Sequence, residues 1–278
     1  MATPSIAHFG TTIIEAPPPE GVEQSDVPIE GALKNTLRFL EIFGFQPLIE
    51  NFYPGMGRQY IWHRGEPGDV DYIEKDNFTS YRAEQRPANE RPRVGDTVFR
   101  LTHSDPVGTW LKWCEEGLVR AAYHAIAEDF VARRTEWLLL TGPDGQHYEL
   151  GPTQPTAAQN HQIYVWTAKA DLEDVAIAYR EHFGLEPAGR EDFHGLGRVR
   201  LLRRAQPGVT VGLICRDDDV EPRWTDDIFV EAGYSHFRLG ALDMAHTVDA
   251  TREAFPSAGD VAFVYFKDSY LELVQANR

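Results

Sequence analysis

The sequence predicts an α+β protein of two similar halves, each built from a strand, a helix and further strands in tandem. Residues 37–47 resemble residues 177–187, and each segment predicts a helix that ends at a glycine, Gly44 or Gly184. Glycine tolerates the left-handed conformation that this kind of helix end requires. An internal repeat of this kind predicts repeated supersecondary units rather than one irregular domain.

The other predicted elements occur in the same order in both halves. In the second half, Asp171 is a plausible N-cap for a helix over 172–183, where apolar residues recur at helical spacing. The elements after it are strands at 197–202, 209–215 and 236–242, a helix at 244–255, and a closing hairpin at 261–267 and 270–275. Three further pairs of segments correspond between the halves. His8 corresponds to His161, residues 98–101 to 236–239, and residues 148–150 to 271–273.

A proline- and glycine-containing junction at 151–159 predicts a linker, which divides the chain into domains at 1–152 and 158–278. Two long segments interrupt the symmetry, at 16–31 and 76–95. Both are predicted to be irregular loops, and a lid and a plain surface excursion remain alternatives for each.

Bulk properties favour a small-molecule ligand. The chain has 278 residues and a formal net charge of −16, which disfavours binding to nucleic acid or to anionic membrane surfaces. No apolar run approaches membrane-spanning length, and the N-terminus does not resemble a secretory signal. With only Cys114 and Cys215, the composition fits a reducing cytoplasm, where we expect the protein to reside.

The candidate site is a set of two histidines and one glutamate on three predicted strands, namely His161, His236 and Glu272. Two imidazoles and a carboxylate can hold a divalent metal and leave its other positions open. Glu272 lies between Leu271 and Leu273 and points away from their face of the strand. A carboxylate that enters an apolar interior needs a partner, and a metal supplies one.

The first half carries an incomplete copy of this set. His8 and Glu149 occupy the equivalent positions, but the middle position is Val98. We therefore expect a degenerate, structural domain there. His103 lies close by in sequence and is an alternative third ligand.

These modules, with a histidine opening one and Leu-Glu-Leu-Val closing another, resemble the vicinal oxygen chelate superfamily. That superfamily includes glyoxalases, epimerases, antibiotic resistance proteins and extradiol dioxygenases. Residues 235–243 are similar to the strand that carries the second iron-ligating histidine of two-domain extradiol dioxygenases. The resemblance implies four βαβββ modules in two domains with partly open barrels. It also implies that His161, His236 and Glu272 are ligands in the C-terminal domain.

The resemblance also implies a reaction. Glyoxalase-like members use a further Glu or Gln on the strand that closes the first module of a pair, and 209–215 has neither. Three protein ligands leave room for a bidentate substrate and dioxygen, which favours an Fe(II)-dependent dioxygenase acting on a small, aromatic substrate. Tyr265 would donate a hydrogen bond to the bound oxygens, and His194 would carry protons. A loop role is the alternative for His194.

Two other functions remain open from the sequence. One is a lyase, isomerase or hydrolase that uses Mn(II), Zn(II) or Ni(II) without redox chemistry. The other is a metal-free resistance protein that binds an aromatic ligand. The expected partners are a small-molecule substrate and dioxygen, and a homo-oligomer is left open.

Overall fold

The computed structural model describes residues 7–13, 21, 31–53, 57–64, 71–78, 92–119, 121–122, 124–153, 161–194, 196–204, 209–215, 235–258, 261–267 and 269–275. It confirms the predicted α+β class. Among these residues, no helix combines the length and the apolar character needed to cross a membrane.

The first half of the chain contains two modules, each opened by a strand that is followed by a helix. Module 1 consists of β1 (Ala7–Ile13), α1 (Gly31–Ile42), β2 (Gln46–Tyr53), β3 (Gly57–Arg64) and β4 (Asp71–Phe78). Module 2 consists of β5 (Thr97–His103), α2 (Pro106–Glu115), β6 (Ala121–Ala122), α3 (His124–Val131), β7 (Leu138–Thr141) and β8 (His147–Pro152).

The second half repeats this order. Module 3 consists of β9 (His161–Trp166), α4 (Leu172–Phe183), β10 (Glu186–Phe193), β11 (Gly197–Arg204) and β12 (Val209–Cys215). Module 4 consists of β13 (Ser235–Ala241), α5 (Met244–Asp249), β14 (Arg252–Ala258), β15 (Val261–Phe266) and β16 (Ser269–Gln275).

Each sheet takes one module from each half of the chain. Sheet I has the strand order β14-β15-β16-β13-β1-β4-β3-β2 and joins modules 4 and 1. Sheet II has the order β10-β11-β12-β9-β5-β8-β7-β6 and joins modules 3 and 2. This pairing differs from the predicted division at 1–152 and 158–278, in which neighbouring modules would pair. The observed pairing and the predicted pairing both cover the exposed edge of an opening strand. The local sequence therefore does not favour one pairing over the other.

The helix ends follow the sequence with two exceptions. Gly184 ends α4 in the left-handed conformation, with φ 65°, as predicted. Asp171 occupies the N-cap position, but its side chain makes no capping hydrogen bond, so the predicted carboxylate cap is wrong. The helix predicted over 244–255 ends at Asp249, because the following residues form β14 and pair with β15.

The two predicted loops are only partly described. Residues 76–78 belong to β4, so the second loop starts later than predicted, and 79–91 lie outside the described residues. Most of 16–30 also lies outside them, and α1 begins at Gly31.

Sheet II has an apolar cluster on each of its faces. On one face the main core includes Ile163 and Val165 of β9. On the other face a second cluster includes Tyr164 and Trp166, both fully buried, together with Phe193. Consecutive residues of β9 therefore enter two different apolar clusters, as the alternation of a strand requires.

Candidate functional site

The strands divide the predicted metal ligands between the two sheets. His161 opens β9 in sheet II, whereas His236 and Glu272 belong to β13 and β16, which are neighbours in sheet I. The side chains of His161 and His236 lie outside the described residues. The strand arrangement therefore brings His236 and Glu272 together but does not bring His161 into their sheet.

Strand alternation separates His161 from the polar residues of its own sheet. Val98 pairs with Tyr164 across β5 and β9, so these two positions share a face of sheet II. Gln162 is two residues from Tyr164 and therefore belongs to the same face of the strand. His161 is two residues from Ile163, which packs in the main core on the other face. The position on the Tyr164 face is thus Gln162, one residue later than the predicted ligand.

The closing strand of every module runs parallel to its opening strand in the same register. The directly paired positions are Gly10 with Glu74, Arg100 with Glu149, Tyr164 with Gly212, and Arg238 with Glu272. Two residues before the first member of each pair stand His8, Val98, Gln162 and His236. The equivalent positions are therefore two histidines and two glutamates in sheet I, but Val98, Gln162, Glu149 and Gly212 in sheet II.

Sequence reasoning missed Glu74 as a candidate ligand. It lies in β4, beside β1 in sheet I, and is directly opposite Gly10. A signal is present in the sequence, because Tyr72-Ile73-Glu74 matches Tyr270-Leu271-Glu272. The sequence predicted that β12 would share a domain with module 4, whereas β4 is the strand that lies in the same sheet as module 4.

Glu272 is buried and already faces a positive charge. Its side chain is 4% exposed, and Arg238 donates to both carboxylate oxygens, from Nε to Oε2 at 2.9 Å and from Nη2 to Oε1 at 2.6 Å. A bidentate, charge-assisted pair of this kind compensates the cost of burying the carboxylate. In the part of the chain that the structure describes, no group of three or more metal-binding side chains occurs.

Glu149 is the counterpart of Glu272 in sheet II, and it has two partners. Arg100 Nε donates to Oε2 at 2.5 Å, and His194 Nε2 lies 2.8 Å from Oε1. Burial alone would raise the pKa of Glu149, but the hydrogen bond from His194 and the charge of Arg100 outweigh it and lower that pKa. Glu149 is therefore ionised and fixed in place.

Arg100 is held between aromatic rings. Its guanidinium lies 4.0 Å from the ring centroid of Trp137 and 5.0 Å from that of Tyr164. Such cation–π contacts add to the ion pair with Glu149. The Tyr164 hydroxyl donates to Glu191 at 2.8 Å, and Arg100 Nη2 lies 3.9 Å from the same carboxylate.

His194 lines a cavity of about 410 Å³ with Arg100, Glu149, Glu191 and Trp137. Its side chain is 10% exposed and its backbone is left-handed, with φ 52°. His194 lies in the turn that follows β10, and from there it contacts Glu149. His194 belongs to the site of sheet II, while His236 and Glu272 belong to sheet I. Its role as a proton carrier stays a prediction.

Tyr265 lies in β15, close in register to Glu272. It pairs with Tyr270, and Phe263, two residues earlier, pairs with Glu272 itself. Tyr265 also lines a separate cavity of about 430 Å³ with His182 and Lys267. The predicted hydrogen bond from Tyr265 to bound substrate oxygens stays a prediction.

Similar solved structures identify the fold. Glyoxalase I from Zea mays matches with a TM-score of 0.57 and 15% identity, over 98% of this chain and 91% of that chain. A mutant of the same maize enzyme matches with a TM-score of 0.58 over the same shares, at 15% identity. The chain has the vicinal oxygen chelate fold.

Comparisons at the level of sequence do not identify a family for this chain. No protein-family model matches the chain, and no curated protein matches it either. At 15% identity the likeness to glyoxalase I establishes the architecture and leaves the reaction to be argued from residues.

The equivalent positions in sheet I carry residue types that can bind a divalent metal. Glu272 is a buried carboxylate whose charge is already compensated by a cation, Arg238. Imidazole and carboxylate together suit Zn, Fe, Ni and Mn. Sheet II does not suit such a metal, because it offers Val98 and Gly212 at the equivalent positions.

Proposed function

We propose that this chain is a metal-dependent enzyme whose metal binds in sheet I, at His8, Glu74, His236 and Glu272. The observation that carries the proposal is the common register of β1 with β4 and of β13 with β16. Each of the two modules that share this sheet therefore has a histidine and a glutamate at equivalent strand positions. His236 and Glu272 remain from the set predicted by sequence, and His8 replaces His161.

A fourth protein ligand changes the reaction that is favoured. The dioxygenase prediction depended on the absence of a carboxylate in β12, but β12 belongs to sheet II. In sheet I the corresponding strand is β4, which carries Glu74. Four protein ligands leave two positions on an octahedral metal, enough for a substrate that chelates through two oxygens but not for dioxygen as well.

The proposed activity is therefore a non-redox lyase or isomerase reaction of the glyoxalase type, on a small hydroxy-carbonyl or enediol compound. When bound, the metal would act as a Lewis acid that polarises the substrate carbonyl oxygen. The chain supplies the two histidines and two glutamates that orient it. The nearby Tyr265 would donate a hydrogen bond to a substrate oxygen.

The test is to strip the protein of metal with a chelator and reload it separately with Zn(II), Ni(II), Mn(II) and, anaerobically, Fe(II). Each form is assayed with a panel of α-hydroxycarbonyl compounds, and oxygen consumption is followed with a catechol. The proposal expects isomerisation or elimination without oxygen uptake, lost in Glu74→Ala. Oxygen uptake by the Fe(II) form that survives Glu74→Ala would restore the dioxygenase interpretation and overturn this one.

A further inference from the structure

We infer that Arg238 is an internal cation that competes with the metal for Glu272, and so sets how tightly the metal binds. The inference rests on the proposed function. Arg238 donates to both oxygens of the Glu272 carboxylate, at 2.9 and 2.6 Å. The charge of this ligand is therefore already neutralised before any metal binds.

A metal that binds Glu272 weakens this pair. Each carboxylate oxygen keeps a further lone pair for an incoming divalent cation, but that cation repels the guanidinium at such short range. The hydrogen bonds from Arg238 are therefore weakened or lost when the metal binds. The affinity for the metal is reduced by the free energy that the Arg238–Glu272 pair loses.

Arg238 is placed so that it can withdraw. Its side chain is 28% exposed, so its guanidinium can reach water without disrupting the core. Among the described residues its hydrogen bonds and ion pair are all with Glu272. Release of the carboxylate therefore costs Arg238 no second polar contact within that part of the chain.

Arg100 provides a comparison within the same chain. It pairs with Glu149 at the same register in sheet II, but it is also clamped by Trp137 and Tyr164. Its side chain is 17% exposed, and Glu149 has His194 as a second partner. Arg100 is thus a fixed structural cation in the sheet without four ligand positions, whereas Arg238 is a releasable one in the sheet that has them.

The test measures the affinity of metal-free protein for Zn²⁺ and for Mn²⁺ by titration calorimetry. Arg238→Met removes the competing cation, and affinity should rise about tenfold, the effect of one charge-assisted hydrogen bond. Arg238→Lys keeps the charge without the bidentate geometry and should lie between wild type and Arg238→Met. Arg100→Met is the matched control and should leave the affinity unchanged.

Thermal unfolding gives a second readout that does not involve activity. Without metal, Arg238→Met should melt below wild type, because Glu272 is left buried without its partner. Saturating metal should raise its midpoint more than that of wild type. Unchanged or weaker metal binding in Arg238→Met, or an equal gain in Arg100→Met, overturns the inference and leaves the proposed function standing. If neither wild type nor any of these variants binds metal, both fall.

Discussion

The ring of Tyr164 lies where a side chain at Gly212 would begin. A Cβ atom built on Gly212 would be 2.3 Å from Cδ1 of Tyr164, a distance that real Cβ atoms essentially never show. Gly212 holds the position that Glu74, Glu149 and Glu272 hold in the other modules. The Tyr164 ring thus closes the second carboxylate position of sheet II, whereas both equivalent positions of sheet I are glutamates.

Gly212→Ala should destabilise the protein by about 2 kcal/mol, because the added methyl group overpacks β12 against β9. The measurement is the midpoint of urea unfolding. The same substitution in a Tyr164→Ala background is the control. There its cost should shrink, since the two closest atoms are gone and only Val199 Cγ1, at 2.9 Å, still meets the added methyl group. An equal cost in both backgrounds would show that the contact is not the cause.

Glu149→Gln should cost about 3 kcal/mol of unfolding free energy at neutral pH, because the half-buried Arg100 loses its charged partner. The pKa of Glu149 is lowered in the folded state from its ordinary value of 4.5. Its stabilising contribution is therefore full above pH 4.5 and is lost as pH falls through the folded pKa. Urea unfolding at neutral pH and in acid should show the difference between wild type and variant narrowing in acid. A difference that widens in acid would contradict the assigned sign.

His182 should make the folded protein less stable as the pH falls. Burial lowers its pKa below 6.5, and His246, stacked on it at a centroid distance of 5.2 Å, and Lys267 lower it further, while Glu181 opposes them. The unfolded chain then binds the proton first, so stability declines as pH falls through 6.5 toward the folded pKa.

His182→Asn keeps a polar atom near the Thr247 hydroxyl, which lies 3.1 Å from Nδ1, and removes the titrating ring. Its melting temperature should depend less on pH than that of wild type between about pH 7 and pH 5, the range in which histidine changes charge. NMR titration of the His182 ring provides the direct check, and a midpoint above 6.5 would contradict the expected direction.

The local elements follow from the sequence because their signals are local. The helix that ends at Gly184 and the strand from Val209 to Cys215 occur at the predicted positions. The hairpin of β15 and β16 also lies within one residue of its predicted bounds. Turn chemistry and apolar spacing determine such elements without reference to the rest of the chain.

The register of β9 could not be predicted in this way. Tyr164 and Trp166 alternate with Ile163 and Val165, and all four are buried because sheet II carries apolar clusters on both faces. Alternation of polar and apolar residues is the signal that distinguishes the faces of a strand, and here it is missing. Residue type alone therefore favoured the histidine at 161 over its neighbour Gln162.

The pairing of modules is decided by contacts between distant segments. β1 pairs with β13 through Phe9 and Phe237, and β5 pairs with β9 through Phe99 and Ile163. These opening strands are similar to one another, so no local pattern favours one partner. The predicted pairing of neighbouring modules therefore left β4, and with it Glu74, out of the sheet that holds β13 and β16.

The most direct test of the account is the metal stoichiometry and affinity of His8→Ala measured beside His161→Ala. Both variants remove one imidazole from an opening strand, and they differ in the sheet to which that strand belongs. We expect His8→Ala to weaken metal binding by roughly tenfold or more, since even losses outside the ligand set have effects of that size. His161→Ala should bind one metal per chain with unchanged affinity. Loss of the metal in His161→Ala, with full binding in His8→Ala, would contradict the metal site of sheet I.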